Sequence, residues 1–345
     1  MTDSTYLVIG GYHGSGASAV VDLLSEYKGF YHNDTEMRLI CDPYGIKPME
    51  RALVDDWDWI NASGAMIDFL HLAKICGRKG GGKNPFARAG LNYTKNINPR
   101  FMEITENYLE KLTECHYYRD FYYHKFKMSY PAYVINRIRF GLEIYSKGKL
   151  KTANRSTKNY FSRPDREQFY QATKEYFDEL YTDAAEREGA DFILLDLALA
   201  PRDGKRIHNY FRKAKMIVVD RDPRDILANL LSQGRYIDDW ITYEDGFCFS
   251  QWQLEMRKNL PSDPDIMYVR FEDIVLKTEM VKKEIADFLD ISLDERNHLH
   301  LHKYFEPEKS AQNIGYWKKF YGAHGRAFDA ISVEMKDYLY EKEKG

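Results

Sequence analysis

Apolar and polar positions along this chain alternate at two periods, and the switch between them marks its elements. A short apolar run, Tyr6 to Ile9, breaks into a glycine-rich turn, Gly10 to Ser18, and then into an amphipathic segment, Ala19 to Leu24. That order predicts a strand, a turn and a helix. Gly29-Phe30-Tyr31 predicts a short second strand, with Asn33 to Arg38 beyond its end. Helical spacing prevails from Lys47 to Leu72, with a break at Asp55 to Trp59, and returns at Pro99 to Cys115 and Arg166 to Arg187. In the last of these Phe169, Ala172, Tyr176, Leu180 and Tyr181 recur at near-helical intervals. Asp191 to Asp196 and Lys215 to Asp220 are continuous apolar runs ending in aspartate, the pattern of strands buried on both faces of a parallel sheet. The predicted fold is α/β: a three-layer αβα sandwich with a central parallel sheet, P-loop-like, with helical insertions forming a cap. A single domain over 1–345 is expected, with a mainly helical insertion at about 45–185.

The 345 residues, 44% of them hydrophobic, can bury a large core. With 30% charged residues and a net charge of −3, the chain lacks the global positive field of a nucleic-acid binder. Cys41, Cys76, Cys115 and Cys248 form no C-x-x-C pair, which argues against a structural zinc site and against a disulfide framework. Buried thiols are expected. No basic start leads into an apolar leader, and no apolar run approaches the roughly 20 residues that cross a bilayer. The expected location is cytoplasmic, with no transmembrane segment.

The glycine-rich turn carries the first chemistry. Glycines allow positive φ and close approach of backbone to ligand, and the unpaired N–H groups that open a helix face an anion. The spacing from Gly11 to Gly16 fits the P-loop G-x-x-x-x-G-K-[ST], but Ala17 stands at the lysine position while Ser18 keeps the hydroxyl. The loop therefore points to a phosphorylated or sulfated ligand more than to ATP.

A second anion site is predicted at the end of the strand Lys215 to Val219, where Asp220-Arg221-Asp222-Pro223-Arg224-Asp225 leads into a helix carrying Asn229. An arginine at a strand-to-helix junction presents a planar fork to a phosphate. The run His116 to Lys125 is rich in tyrosine, which suits either the wall of a sugar or aromatic pocket or a half-buried element at a wet interface. Arg78 to Pro85 is a basic, glycine-rich loop, and Lys147 to Arg163 is a basic segment.

These motifs, in this order, resemble those of the sulfotransferases that use 3′-phosphoadenosine 5′-phosphosulfate (PAPS). In that family an N-terminal strand, loop and helix bind the 5′-phosphosulfate, matching Gly11, Tyr12, His13, Gly14, Ser15, Gly16, Ala17 and Ser18 here. A strand ending in R-x-P-R-D, followed by a hydroxyl residue, binds the 3′-phosphate. It matches Arg221 to Asp225, with Asn229 near the family's serine. Tyr268 to Ile274 resembles the family's v-R-y-E-D-l strand, followed by a helix at Ile285 to Ile291. Ser310-Ala311-Gln312-Asn313-Ile314-Gly315-Tyr316-Trp317-Lys318 resembles the C-terminal S-x-x-x-x-G-x-W-[KR] loop that closes over the nucleotide.

The resemblance implies PAPS as sulfuryl donor, adenosine 3′,5′-bisphosphate as product, a hydroxyl-bearing small molecule or glycan as acceptor, and no required metal. It departs in one place: many members carry a lysine before the Ser-Gly of the first loop, where this chain has Gly14. His13, Lys318, Lys83 or Lys125 are the cations available to replace it. For the base that takes the acceptor's proton, Glu36 beyond the second strand is preferred over His13, since the carbohydrate-acting branch places a glutamate there. An exposed pairing of Glu36 with Arg38 is the structural alternative. A glycan acceptor is favoured over a sterol, phenol or lipid. A P-loop kinase of a small metabolite and a nucleotide-binding module without catalysis stay open as other readings of the same residues.

Overall fold

The computed structural model describes residues 4–80, 88–118, 121–126, 128–150, 158–234, 243–293 and 303–340. The chain opens with strand β1 (Thr5–Gly11), helix α1 (Ser18–Leu24) and strand β2 (Phe30–His32). Helices α2 (Ile46–Glu50), α3 (Trp59–Gly77), α4 (Tyr93–Asn96) and α5 (Phe101–Lys111) follow. Strand β3 (Cys115–Tyr118), helices α6 (Tyr122–Phe126) and α7 (Tyr130–Tyr145), strand β4 (Lys158–Phe161) and the long helix α8 (Arg166–Glu188) come next. The second half alternates strand and helix: β5 (Phe192–Asp196), α9 (Ile207–Tyr210), β6 (Ala214–Asp220), α10 (Pro223–Ser232), α11 (Tyr243–Arg257) and β7 (Ile266–Arg270). Helices α12 (Phe271–Leu276), α13 (Thr278–Leu289), α14 (Pro307–Ala311) and α15 (Tyr321–Glu334) complete it.

Five strands form one parallel sheet in the order β2-β5-β1-β6-β7. Side chains alternate between its faces. Tyr6, Val8, Ile193, Leu195, Met216 and Val218 join one core, and Leu7, Ile9, Leu194, Ile217 and Val219 join the other. The first core is filled by α3, α5, α8 and α10 through residues such as Phe69, Phe101, Phe177 and Ile226. The second is filled by α1, α12 and α13 through Val20, Leu24, Ile274 and Ile285. Helices thus cover both faces, which is why the strands read as unbroken apolar runs. Each fully buried Leu or Val contributes about 1.5–3 kcal/mol relative to an exposed one.

The predicted boundaries have local causes. The break near Asp55 is a wide π turn over Arg51–Asp55, closed by Asp56 N–H donating to Arg51 O at 2.8 Å. Asp58 then caps α3, its Oδ1 accepting from Ile60 and Asn61 N–H at 3.0 and 3.1 Å. Helix α8 starts in a capping box between Asp165 and Gln168 and stops at Gly189, which takes φ +59°.

Two expectations change, and a third segment lies only partly within the described residues. The strand expected through Ile274 ends at Arg270, and Phe271 opens α12 because Glu272 turns inward to accept the Asp222 N–H at 2.7 Å. Of the four cysteines Cys76 is buried, but Cys115 and Cys248 are exposed, Cys115 on the two-stranded β3-β4 hairpin outside the main sheet. The tyrosine-rich run is split between β3 and α6, while Arg119 and Asp120 lie outside the described residues, as do Lys83 and most of the basic glycine loop. Among the described residues no helix is long and apolar enough to cross a membrane.

Candidate active site

The glycine-rich loop leaves β1 at the carboxyl edge of the sheet, where open α/β folds bind ligands. Gly14 and Gly16 take φ +85° and +83°, a region that side chains rarely adopt. Gly11 and Gly16 are also sterically committed: a Cβ at Gly11 would lie 2.4 Å from Ser15 Oγ, and one at Gly16 would lie 2.6 Å from the Phe271 ring. Ser15 ties the turn to itself, its N–H donating to Tyr12 O at 2.7 Å and its Oγ accepting from Tyr12 N–H at 3.0 Å. The Ser15 hydroxyl is therefore buried in the loop's own structure. Ser18 and His13 are exposed. The N–H groups of Gly16, Ala17 and Ser18 donate to no backbone carbonyl among the described residues, as at the open N-terminus of a helix. The Tyr12 ring turns into the core under the Arg257 guanidinium at 3.8 Å, and Arg257 in turn donates to both oxygens of Asp220, at 2.5 and 3.3 Å.

Arg221, 4% exposed, stands at the centre. Its Nη1 donates to Gly14 O at 3.3 Å, its Nη2 donates to Asn313 O at 2.5 Å, and its guanidinium lies 4.7 Å over the Phe271 ring. One side chain thus touches the glycine loop, the C-terminal loop and the residue that walls Gly16. Its Nε is buried without a partner. Burial lowers its affinity for the proton, and the nearby Asp225, Glu272 and Asp222 charges oppose that shift.

The C-terminal loop is held from below by α10. Asp225 accepts from Gly315 N–H at 2.8 Å and from Trp317 N–H at 3.0 Å, while Gly315 turns the chain with φ +70°. Arg224 closes the same side, lying 4.6 Å over the Trp317 ring. Its fork is taken by Asp222, with Nε at 3.0 Å and Nη2 at 2.6 Å, so Arg224 braces the loop instead of presenting a free guanidinium. The Asn229 amide lies beside Gly14, 3.4 Å from where a Cβ would stand. Ser310 is half-buried and its carbonyl accepts from Asn313 N–H at 3.0 Å. Lys318 is exposed just past Gly315, and Lys125 is exposed on α6.

A group of carboxylates occupies the same sheet edge. Asp196, in register with Ile9 of β1, ends β5, and its carbonyl accepts from Met37 N–H at 2.8 Å. Its Oδ1 is buried with no partner. Burial, reinforced by the charges of Glu36 and Asp22, raises the Asp196 carboxyl to about 6, and burial with the Glu26 charge raises Asp22 to about 6. Glu36 is half-exposed and paired with Arg38 at 2.8 Å, and its carbonyl accepts from the Tyr93 hydroxyl, which fixes the loop after β2. Nothing in the sequence marks Asp196 beyond its place at a strand end. Asp225 and Phe271, by contrast, belong to the motifs and lacked only a role.

The four sequence motifs therefore meet around Arg221. The sulfotransferase family model matches residues 94–295. This chain belongs to the sulfotransferase family. Solved structures similar to this sulfotransferase include STF9 of Mycobacterium avium, at 12% identity and TM-score 0.39, covering 99% of this chain and 78% of that one. The sulfotransferase domain of the Synechococcus PCC 7002 olefin synthase aligns at 11% identity and TM-score 0.38, covering 99% and 95%. The sulfotransferase domain of the curacin biosynthetic pathway aligns at 10% and 0.35, covering 98% and 99%. No curated protein matches the chain.

Proposed function

We propose that this sulfotransferase moves a sulfuryl group from PAPS to a hydroxyl acceptor, binding the donor between the glycine loop and the C-terminal loop. The observation that carries the reading is the position of Arg221, bonded at once to Gly14 O and Asn313 O. A doubly charged adenosine compound needs two anion sites within one molecule's length, and residues 11–18 and 221–229 supply amides and cations on one side of the sheet.

In the reaction the acceptor oxygen attacks sulfur in line, the new O–S bond forms as the bond from sulfur to the phosphate oxygen breaks, and negative charge grows on the leaving phosphate. The amides of Gly16, Ala17 and Ser18, which have no backbone acceptor, and the Ser18 hydroxyl meet that charge, with His13 or Lys318 as the added cation. Arg221 and Asn229 hold the 3′-phosphate, and Gly315 to Lys318 cover the nucleotide. Glu36 takes the acceptor's proton, for which it must leave Arg38.

A glycan is the acceptor we favour. A cleft of about 500 Å³ is lined by Tyr44, Tyr123, Ile60, Asn61 and Asp68. Aromatic faces beside an amide and a carboxylate suit a sugar's apolar ring face and hydroxyl rim. The test is direct. Adenosine 3′,5′-bisphosphate should raise the thermal midpoint without magnesium, and labelled sulfate should pass from PAPS to members of a glycan, sterol and phenol panel. Stabilisation by magnesium-ATP alone would refute the donor, and transfer confined to sterols or phenols would refute the acceptor class.

A further inference from the structure

The motif over Tyr268–Ile274 has so far given the site only Phe271, yet its polar members close a circuit. Asp222 N–H donates to Glu272 Oε1 at 2.7 Å, Arg270 Nε donates to Glu272 Oε2 at 3.3 Å, and Arg270 Nη2 donates to Tyr338 O at 3.1 Å. Two residues on, Tyr340 N–H returns to Asp222 Oδ2 at 3.0 Å. The Tyr340 hydroxyl also donates to Asp273 Oδ1 at 3.2 Å, and the Arg270 guanidinium lies 5.5 Å from the Tyr340 ring. Glu272 is 0% exposed and Asp222 3%, so water screens these bonds little.

A second line of contacts ends on the same segment. Arg221 N–H donates to Asp220 Oδ1 at 2.7 Å, and that oxygen also takes Arg257 Nη2 at 2.5 Å. The Arg257 guanidinium lies 3.8 Å from the Tyr12 ring and 5.3 Å from the Tyr338 ring.

Tyr338 to Tyr340 therefore reaches the chain on both sides of Arg221, at Asp220 through Arg257 and at Asp222 directly. It also reaches both sides of Phe271, at Arg270 and at Asp273. Arg221 and Phe271 are the cation and the ring that lie 4.7 Å apart beside the glycine loop. A guanidinium binds phosphate best when its direction is fixed beforehand, because a long side chain otherwise loses rotamer freedom on binding. We propose that Tyr338–Tyr340 is a positioning segment for the donor's 3′-phosphate: by holding Asp222 and Arg270 it aims Arg221, and so sets how strongly the protein prefers a nucleotide that carries this phosphate. The proposal rests on the assignment of Arg221 to the 3′-phosphate made above.

Calorimetric titration of the full chain with adenosine 3′,5′-bisphosphate and with adenosine 5′-monophosphate tests it, since the ratio of the two affinities isolates the 3′-phosphate. Tyr340→Pro removes the N–H that Asp222 holds, and Leu339 before it already has the ψ of 145° that a following proline requires. This variant should cut the ratio about tenfold while the monophosphate binds as it does to the wild type. Arg270→Lys keeps a cation beside the buried Glu272 but cannot span Glu272 and Tyr338 O together, and it should cut the ratio about threefold.

A wild-type ratio in both variants, with the preference lost in Arg221→Ala, would overturn the proposal and leave the Arg221 assignment standing. Equal weakening of both nucleotides would overturn it as well, by reducing the segment to a structural prop. A wild type that binds the two nucleotides equally would overturn the assignment itself and the proposal with it.

Discussion

Asp225 and Gly315, 90 residues apart in sequence, are joined by a hydrogen bond of 2.8 Å from the glycine N–H to the carboxylate. The second carboxylate oxygen takes the Trp317 N–H, so a single buried aspartate fixes both ends of the turn that leads into Lys318. Asp225→Ala should destabilise the fold by about 2 kcal/mol, since two main-chain donors lose a charged acceptor. It should also weaken adenosine 3′,5′-bisphosphate binding about tenfold by releasing the covering loop. Calorimetric titration beside thermal unfolding checks both, and unchanged affinity would detach the loop from the nucleotide.

Arg221→Ala should reduce nucleotide affinity by roughly 2 kcal/mol or more, because a phosphate loses its guanidinium partner. Arg221→Lys should restore little of it. A point ammonium cannot serve Gly14 O and Asn313 O as well as a ligand, whereas a fork can. Titration of the two variants gives the comparison, and recovery by lysine would mean that charge alone matters at this position.

Gly16→Ala places a methyl group 2.6 Å from the Phe271 ring on a backbone held at φ +83°. The expected cost is about 1–3 kcal/mol, with loss of transfer activity as the loop shifts. A thermal midpoint and sulfate-transfer rate equal to wild type would show that the loop accommodates a side chain.

Glu36→Gln should lower turnover by about 10²- to 10⁴-fold, the range for removal of a general base, while adenosine 3′,5′-bisphosphate binds as before. The amide keeps the shape and loses the proton acceptor. Retained turnover would move the base to Asp196 or His13, and the corresponding Asn variants then separate those two.

The Asp196 carboxyl, raised from 3.8 to about 6, links stability to pH. The folded chain holds this proton more tightly than the unfolded chain does. Its contribution is thus complete below 3.8 and is lost as pH rises through about 6. Asp196→Asn should stabilise the protein at neutral pH by about 1–3 kcal/mol and do little in acid. Thermal midpoints across that range give the answer. A destabilised Asn variant at neutral pH would mean the carboxylate has a partner that compensates its burial.

The sheet was legible because strands buried on both faces leave continuous apolar runs, as in Phe192 to Leu195 and Met216 to Val219. The glycine loop was legible because positive φ narrows the choice of residue at Gly14 and Gly16. Side-chain direction was not. Ser15 and Ser18 look equivalent in sequence, yet Ser15 closes its own turn and Ser18 faces out. Arg221 and Arg224 look like one pair of anion ligands, yet Asp222 captures only the second. Tyr268 to Ile274 reads as strand because Phe271 and Ile274 are apolar, but the bond between Glu272 and Asp222 turns the chain into a helix at Phe271. Each miss is decided by a partner too near in sequence to leave a pattern, or too far away to be seen.

The bond between Arg221 and Asn313 has a consequence for how the protein is made. The glycine loop is synthesised long before Asn313, which holds the other end of the Arg221 fork. A nascent chain accordingly carries no complete anion cradle until Asn313 has emerged, and a product truncated before it would keep the bond from Arg221 to Gly14 but lose the one that ties in the covering loop.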